Sequence, residues 1–95
     1  MRLVWSTPSI DDISALRAFI ASDSPVAAKR ISLRIVDAVE SLLPFNPEAG
    51  GKGRVPETRE LVIARMPFIV AYRINDTTIE VLRIYHGSRR WPDRL

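Results

Sequence analysis

The chain has 95 residues, 46% of them apolar and 26% charged, which is enough for one hydrophobic core and too little for two domains. The absence of cysteine excludes disulfides, thiolate catalysis and cysteine-ligated metal, and a single histidine excludes a multi-histidine metal site. The net charge of +3 is uneven, with 5 bases and 6 acids in residues 1–51 against 9 bases and 5 acids in residues 52–95, and 12 of the 14 bases are arginine. The C-terminal half therefore suits bidentate contact with phosphate or carboxylate. No apolar run approaches the ~20 residues of a membrane span, and Met1-Arg2-Leu3-Val4-Trp5 lacks the apolar core of a secretory signal. A single cytoplasmic domain over 1–95, with no membrane contact, no metal and no cofactor, is expected.

Residues 2–6 alternate as a short strand. Thr7-Pro8 then signals a helix, with Thr7 as hydroxyl cap, proline in the first turn, and Asp11 and Asp12 near the positive end of the dipole. Ile10, Ile13, Leu16 and Ile20 form its apolar stripe with Phe19 on the flank, and the helix should stop near Ser22. Ser24-Pro25 repeats the signature, so a second helix follows and the two make a hairpin. On that second helix Ala27, Ile31, Ile35, Ala38, Val39 and Leu42 form one stripe, Val36 and Leu43 widen it, and Leu33 stands apart. This excess of apolar surface points to a partner face at Leu33, Val36 and Leu43, the alternative for Leu33 alone being an ordinary exposed leucine.

Pro44, Pro47, Gly50, Gly51 and Gly53 make a loop of about a dozen residues, long for a compact domain. Gly50-Gly51-Lys52-Gly53 has no serine or threonine after the lysine, which excludes a P-loop. The period then changes to two over 58–65, 67–74 and 78–86, and the short turns between these runs require antiparallel neighbours. The predicted fold is α+β, in the order β-α-α-β-β-β, with a small antiparallel sheet and the helical hairpin packed on one face.

The chemistry-bearing residues collect near the end. His86, Arg89, Arg90 and Trp91 fall within seven residues of one another, a group able to hold phosphate, stack a base or anchor a protein surface. The bland alternatives are a structural imidazole for His86 and a tryptophan tucked over the sheet edge. Arg59 and Arg65 share a strand face with Leu61 and Ile63, and Arg83 shares one with Ile79, Val81 and Tyr85, so each is either a buried ion pair, with Glu57, Glu60 or Glu80, or part of a binding face. Strict alternation separates His86 from Arg83 unless a bulge or a turn at Gly87 intervenes.

Trp5-Ser6 before an amphipathic helix, Thr58-Arg59-Glu60-Leu61, Pro67-Phe68-Ile69-Val70-Ala71-Tyr72-Arg73, Ile79 to Ile84, and His86-Gly87-Ser88-Arg89-Arg90-Trp91-Pro92 together resemble the RelE/ParE toxins of bacterial type II toxin–antitoxin modules. The likeness covers nearly the whole chain. It implies a growth inhibitor neutralised by a cognate antitoxin, such pairs commonly assembling into dimers of heterodimers. ParE-like members inhibit DNA gyrase; RelE-like members cut messenger RNA on the ribosome. Where the RelE-like branch carries lysines this chain has Leu61, Val62 and Ile63, and the strand motifs and ending look more ParE-like. The resemblance thus implies gyrase as target, touched by Arg83, Arg89, Arg90 and Trp91, and an antitoxin bound at Leu33, Val36 and Leu43. The alternative is a ribosome-dependent ribonuclease with Tyr85 and His86 as acid and base and Arg59, Arg83 and Arg89 on the phosphate. A domain that binds nucleic acid without toxicity is a third reading, distinguished by salt-steep affinity of the isolated protein.

Overall fold

The computed structural model describes residues 1–87. In chain order the elements are β1 (Arg2–Trp5), α1 (Thr7–Ala21), α2 (Pro25–Leu42), β2 (Gly51–Lys52), β3 (Arg59–Val62), β4 (Phe68–Asn75) and β5 (Thr78–His86). The α+β order and the helical hairpin are as the sequence predicts. The sheet has five strands in the order β1-β5-β4-β3-β2 and is mixed: β1 runs parallel to β5, while the other neighbours are antiparallel. A parallel pair needs a long crossover, and here everything from α1 to β4 supplies it. The additional strand, β2, lies inside the stretch expected to be loop and pairs Gly51 with Glu60 and Lys52 with Arg59.

The switch from β1 to α1 is made at Ser6, one residue earlier than the expected cap at Thr7. The Ser6 amide still donates to Val81 of β5 at 3.0 Å, while its hydroxyl accepts from the Ser9 amide and donates to the Leu82 carbonyl at 2.9 Å. One hydroxyl thus caps the helix and closes the sheet edge. Ser24 caps α2 as predicted, its Oγ accepting from the Ala27 amide.

The core joins Ile35, Val39 and Leu43 to Leu61, Val70, Tyr72, Ile79, Val81 and Ile84. The buried line of α2 runs through Ala28, Ser32, Ile35, Val39 and Leu43, so the stripe is rotated from the predicted one and Leu42 lies at its edge, 37% exposed. Leu43 is fully buried; its assignment to a partner face is corrected, because its position four residues after Val39 carries it inward on the same line of the helix. Ile10, expected in the α1 stripe, is 51% exposed, and Ser9 is buried in its stead.

The β2–β3 end is closed by polar contacts. The Tyr72 hydroxyl donates to the Pro47 carbonyl at 2.6 Å and accepts from the Gly50 amide at 2.9 Å. A Cβ on Gly50 would come within 2.7 Å of the Tyr72 ring and 2.8 Å of the Glu60 carbonyl, which is why glycine stands there.

Candidate functional site

The end of β5 is shaped by a bulge. Tyr72 pairs with Val81 and Ala71 with Arg83, leaving Leu82 as the extra residue. The phase of the strand changes there, so Ile84 and His86 join the face of Ile79 and Val81 that meets the helices, while Arg83 and Tyr85, opposite Ala71 and Ile69, lie on the other. The expectation that Arg83 shares a face with Ile79 and Val81 is corrected by that one inserted residue.

Beyond the Ser6 amide, which still bonds Val81, the chain turns into α1, and Asp12 of that helix takes over the edge of β5. Its Oδ2 accepts from the Ile84 amide at 2.9 Å and from Arg83 Nε at 2.8 Å, and its Oδ1 accepts from Arg83 Nη2 at 2.9 Å. This fork-to-carboxylate pair raises the guanidinium pKa above its ordinary value, the hydrogen bond to Asp12 being the main cause. Arg83 also sits 5.0 Å from the centre of the Tyr85 ring. Burial pushes the Tyr85 phenol pKa up, opposed by the nearby guanidinium charge, so the side chain stays protonated at neutral pH.

The residues of the ribonuclease alternative are thereby separated. Arg59 donates from Nε to the Gly50 carbonyl and from Nη2 to the Glu48 carbonyl, pinning the long loop at the far end of the sheet. Tyr85 and His86 are consecutive and face opposite ways. His86 meets Phe68 edge-on, with ring centroids 5.8 Å apart. Arg89, Arg90 and Trp91 lie outside the described residues. Among the described residues no cluster of histidine, aspartate and glutamate could hold a metal ion, and no helix is long and apolar enough to cross a membrane.

On the helix side, α1, α2, the β3–β4 turn and the end of β5 enclose a groove of about 1100 Å³. Its apolar lining includes Leu16, Ile20, Ile31, Phe68 and Ile84. Phe19, 79% exposed, stands at its lip, and Arg30, Arg34 and Arg65 contribute exposed guanidinium groups.

A sequence profile of the ParE toxin of type II toxin–antitoxin systems (parDE) matches residues 3–91. The chain belongs to the ParE toxin family. A putative toxin, Y4kP, of Sinorhizobium fredii is 37% identical over 94 residues, covering 99% of this chain and 96% of the relative. Toxin RelE2 of Caulobacter vibrioides is 34% identical over 88 residues, covering 93% and 97%. Among solved structures, the chromosomal ParDE toxin–antitoxin system from P. aeruginosa superposes with a TM-score of 0.79 at 27% identity, over 90% of this chain and 95% of that one.

As a ParE-family toxin the chain acts in a type II toxin–antitoxin system and has a cognate antitoxin as partner. Of the three residues expected to meet that partner, Leu33 is 56% exposed, Val36 is half-buried and Leu43 is in the core. The sequence reading missed Asp12 as the partner of Arg83, because 71 residues separate them. It also missed the groove, although Phe19 on the flank of the α1 stripe was its visible trace.

Proposed function

We propose that this ParE-family toxin arrests growth by binding DNA gyrase and does not cut RNA. The observation that carries this reading is that each sheet arginine offered for phosphate contact already has a protein partner. Arg59 is hydrogen-bonded to the carbonyls of Gly50 and Glu48 and Arg83 to both oxygens of Asp12; Arg73, a further strand arginine, pairs with Glu80. A nuclease needs cations and an acid–base pair converging on one phosphate, whereas a protein inhibitor needs an anchor held at a fixed angle. The Asp12 bridge fixes the end of β5, and Arg89, Arg90 and Trp91, which come next in the sequence, are proposed together with Arg83 as the target contacts. The ribonuclease alternative retains one supporting feature, the approach of Arg83 to the Tyr85 ring.

Induction of the wild-type chain without its antitoxin, read together for DNA-damage response and for cleavage of translating messages, tests the reading. The expected result is DNA damage with intact messages; cleaved messages without damage would replace it with the ribonuclease. Arg89→Ala combined with Arg90→Ala should relieve growth arrest by roughly tenfold or more at equal protein level, and undiminished arrest would remove those residues from the contact surface.

A further inference from the structure

We infer that Asp12 of α1 is a positioning residue for target inhibition, orienting Arg83 at the end of β5 as a pre-set anchor for the target protein. This rests on the gyrase reading and adds to it a residue that acts through another. Past Val81 the edge of β5 has no strand beside it, and two side chains stand in for one. Ser6 Oγ donates to the Leu82 carbonyl at 2.9 Å, and Asp12 Oδ2 accepts from the Ile84 amide at 2.9 Å. One neutral acceptor would satisfy that amide. Asp12 does more, because Oδ2 and Oδ1 also take Nε and Nη2 of Arg83 at 2.8 and 2.9 Å, a planar fork that fixes the guanidinium in direction as well as in place. The buried Tyr85 ring lies 5.0 Å from the same guanidinium. Arg83 is thus held by two groups, yet its side chain remains 35% exposed, while that of Asp12 is 17% exposed.

The other strand arginines are held differently. Arg59 is taken up by two loop carbonyls. Arg73 meets a single oxygen of Glu80, with the two side chains 47% and 33% exposed, as an ordinary surface pair does. Of these three, Arg83 alone combines a two-oxygen fork, an aromatic neighbour and open surface on the sheet face away from the helices. An arginine on a free stem loses rotamer freedom when a partner binds, whereas one already clamped loses little, so affinity rises without a new contact. The ion pair is close to neutral as a whole, and what Asp12 supplies is therefore direction and not field. That distinction sets a sign. If Arg83 served an acidic target surface through charge alone, removing the Asp12 carboxylate would leave an uncompensated cation and strengthen inhibition, most of all at low salt. If it serves through orientation, the same change weakens inhibition at every salt concentration.

The test titrates supercoiling by purified DNA gyrase with the full-length toxin at low and high salt. Wild type is compared with Asp12→Asn, Asp12→Ala, Arg83→Ala and the double variant Asp12→Ala with Arg83→Ala, at a temperature where unfolding curves show each to be folded. Under those conditions a purely structural residue leaves the half-inhibitory concentration unmoved. Asp12→Asn should raise it roughly threefold or more and Asp12→Ala roughly tenfold, at both salt concentrations. In the Arg83→Ala background Asp12→Ala should add less than about twofold, because the two residues act as one unit. Unchanged or stronger inhibition by Asp12→Asn would overturn the inference, and so would an equal loss from Asp12→Ala with and without Arg83. Arg83→Lys keeps the cation and the Asp12 bond to the Ile84 amide but loses the fork, so it covers the case in which an Asp12 variant does not fold. It should match Asp12→Asn, and wild-type inhibition by Arg83→Lys would also overturn the inference. The two levels fail separately: wild-type inhibition of gyrase with indifferent Asp12 variants removes the positioning role alone, whereas a wild-type toxin that leaves gyrase active removes the gyrase reading and this inference with it.

Discussion

The two ends of the sheet handle the same residue types in opposite ways. At the β2–β3 end, Tyr72 and Arg59 turn inward and hold the loop through four hydrogen bonds to backbone groups of residues 47–50, and that end is sealed. At the other end, Phe19 and the arginines of α2 and the β3–β4 turn surround an apolar groove and face solvent. An aromatic ring and a guanidinium are structural where several backbone groups converge on them and stay exposed where few do, Arg34 keeping a single bond to the Ala64 carbonyl. Composition alone cannot separate the two cases, and the partners of each group can.

That contrast is broken or sharpened most strongly at Tyr72. Tyr72→Ala removes a fully buried ring and the loop anchor together, and should destabilise the fold by about 4 kcal/mol. Tyr72→Phe, which leaves the Gly50 amide and the Pro47 carbonyl without that partner, should cost about 1–2 kcal/mol. Denaturant unfolding measures both, and a small effect for Tyr72→Ala would mean that the closed end is not closed. The next largest difference separates two leucines of similar appearance in the sequence. Leu43→Ala should cost about 3 kcal/mol and Leu33→Ala less than about 0.5 kcal/mol, since one is fully buried and the other 56% exposed. Equal costs would return Leu43 to the surface.

The element order, both helix starts to within a residue and the three later strands were legible in the sequence because each has a local cause: a hydroxyl cap with proline after it, a change of period, a short turn; the run 58–65 shortens to Arg59–Val62. What was not legible has a non-local cause. The parallel placement of β1 depends on a pairing across 76 residues of chain, Arg2 with Thr78, and β2 is too short to carry a period. The bulge at Leu82 inverts the facing of everything after it, so alternation assigned Arg83 to the wrong neighbours while correctly separating it from His86. Leu43 was misread because a widened apolar stripe was taken for a second surface when the true stripe was rotated. For the site, the sequence supplied the arginines and Tyr85 but not their partners: Glu57, Glu60 and Glu80 were the candidates within the sheet, and Asp12 came from a helix.

The smallest effect expected lies at Tyr85, where the two readings of the sheet face diverge in pH. Its phenol is raised above the ordinary value near 10, mainly by burial, with Arg83 opposing. A group whose folded pKa is raised holds its full stabilising contribution below the unfolded value and loses it as pH climbs from there toward the folded one. Stability should therefore be flat for this residue up to about pH 10 and decline above it, and Tyr85→Phe should show a shallower decline over pH 9–11. Thermal unfolding of the two proteins across that range measures the difference; identical slopes would mean that the phenol is not held protonated. The same shift bears on chemistry. A phenol that resists ionisation is a weaker proton acceptor at neutral pH, so it disfavours Tyr85 as the base of an RNA-cleaving site and leaves it the role its contacts describe, a ring beneath the Arg83 guanidinium that helps to hold the end of β5 in place.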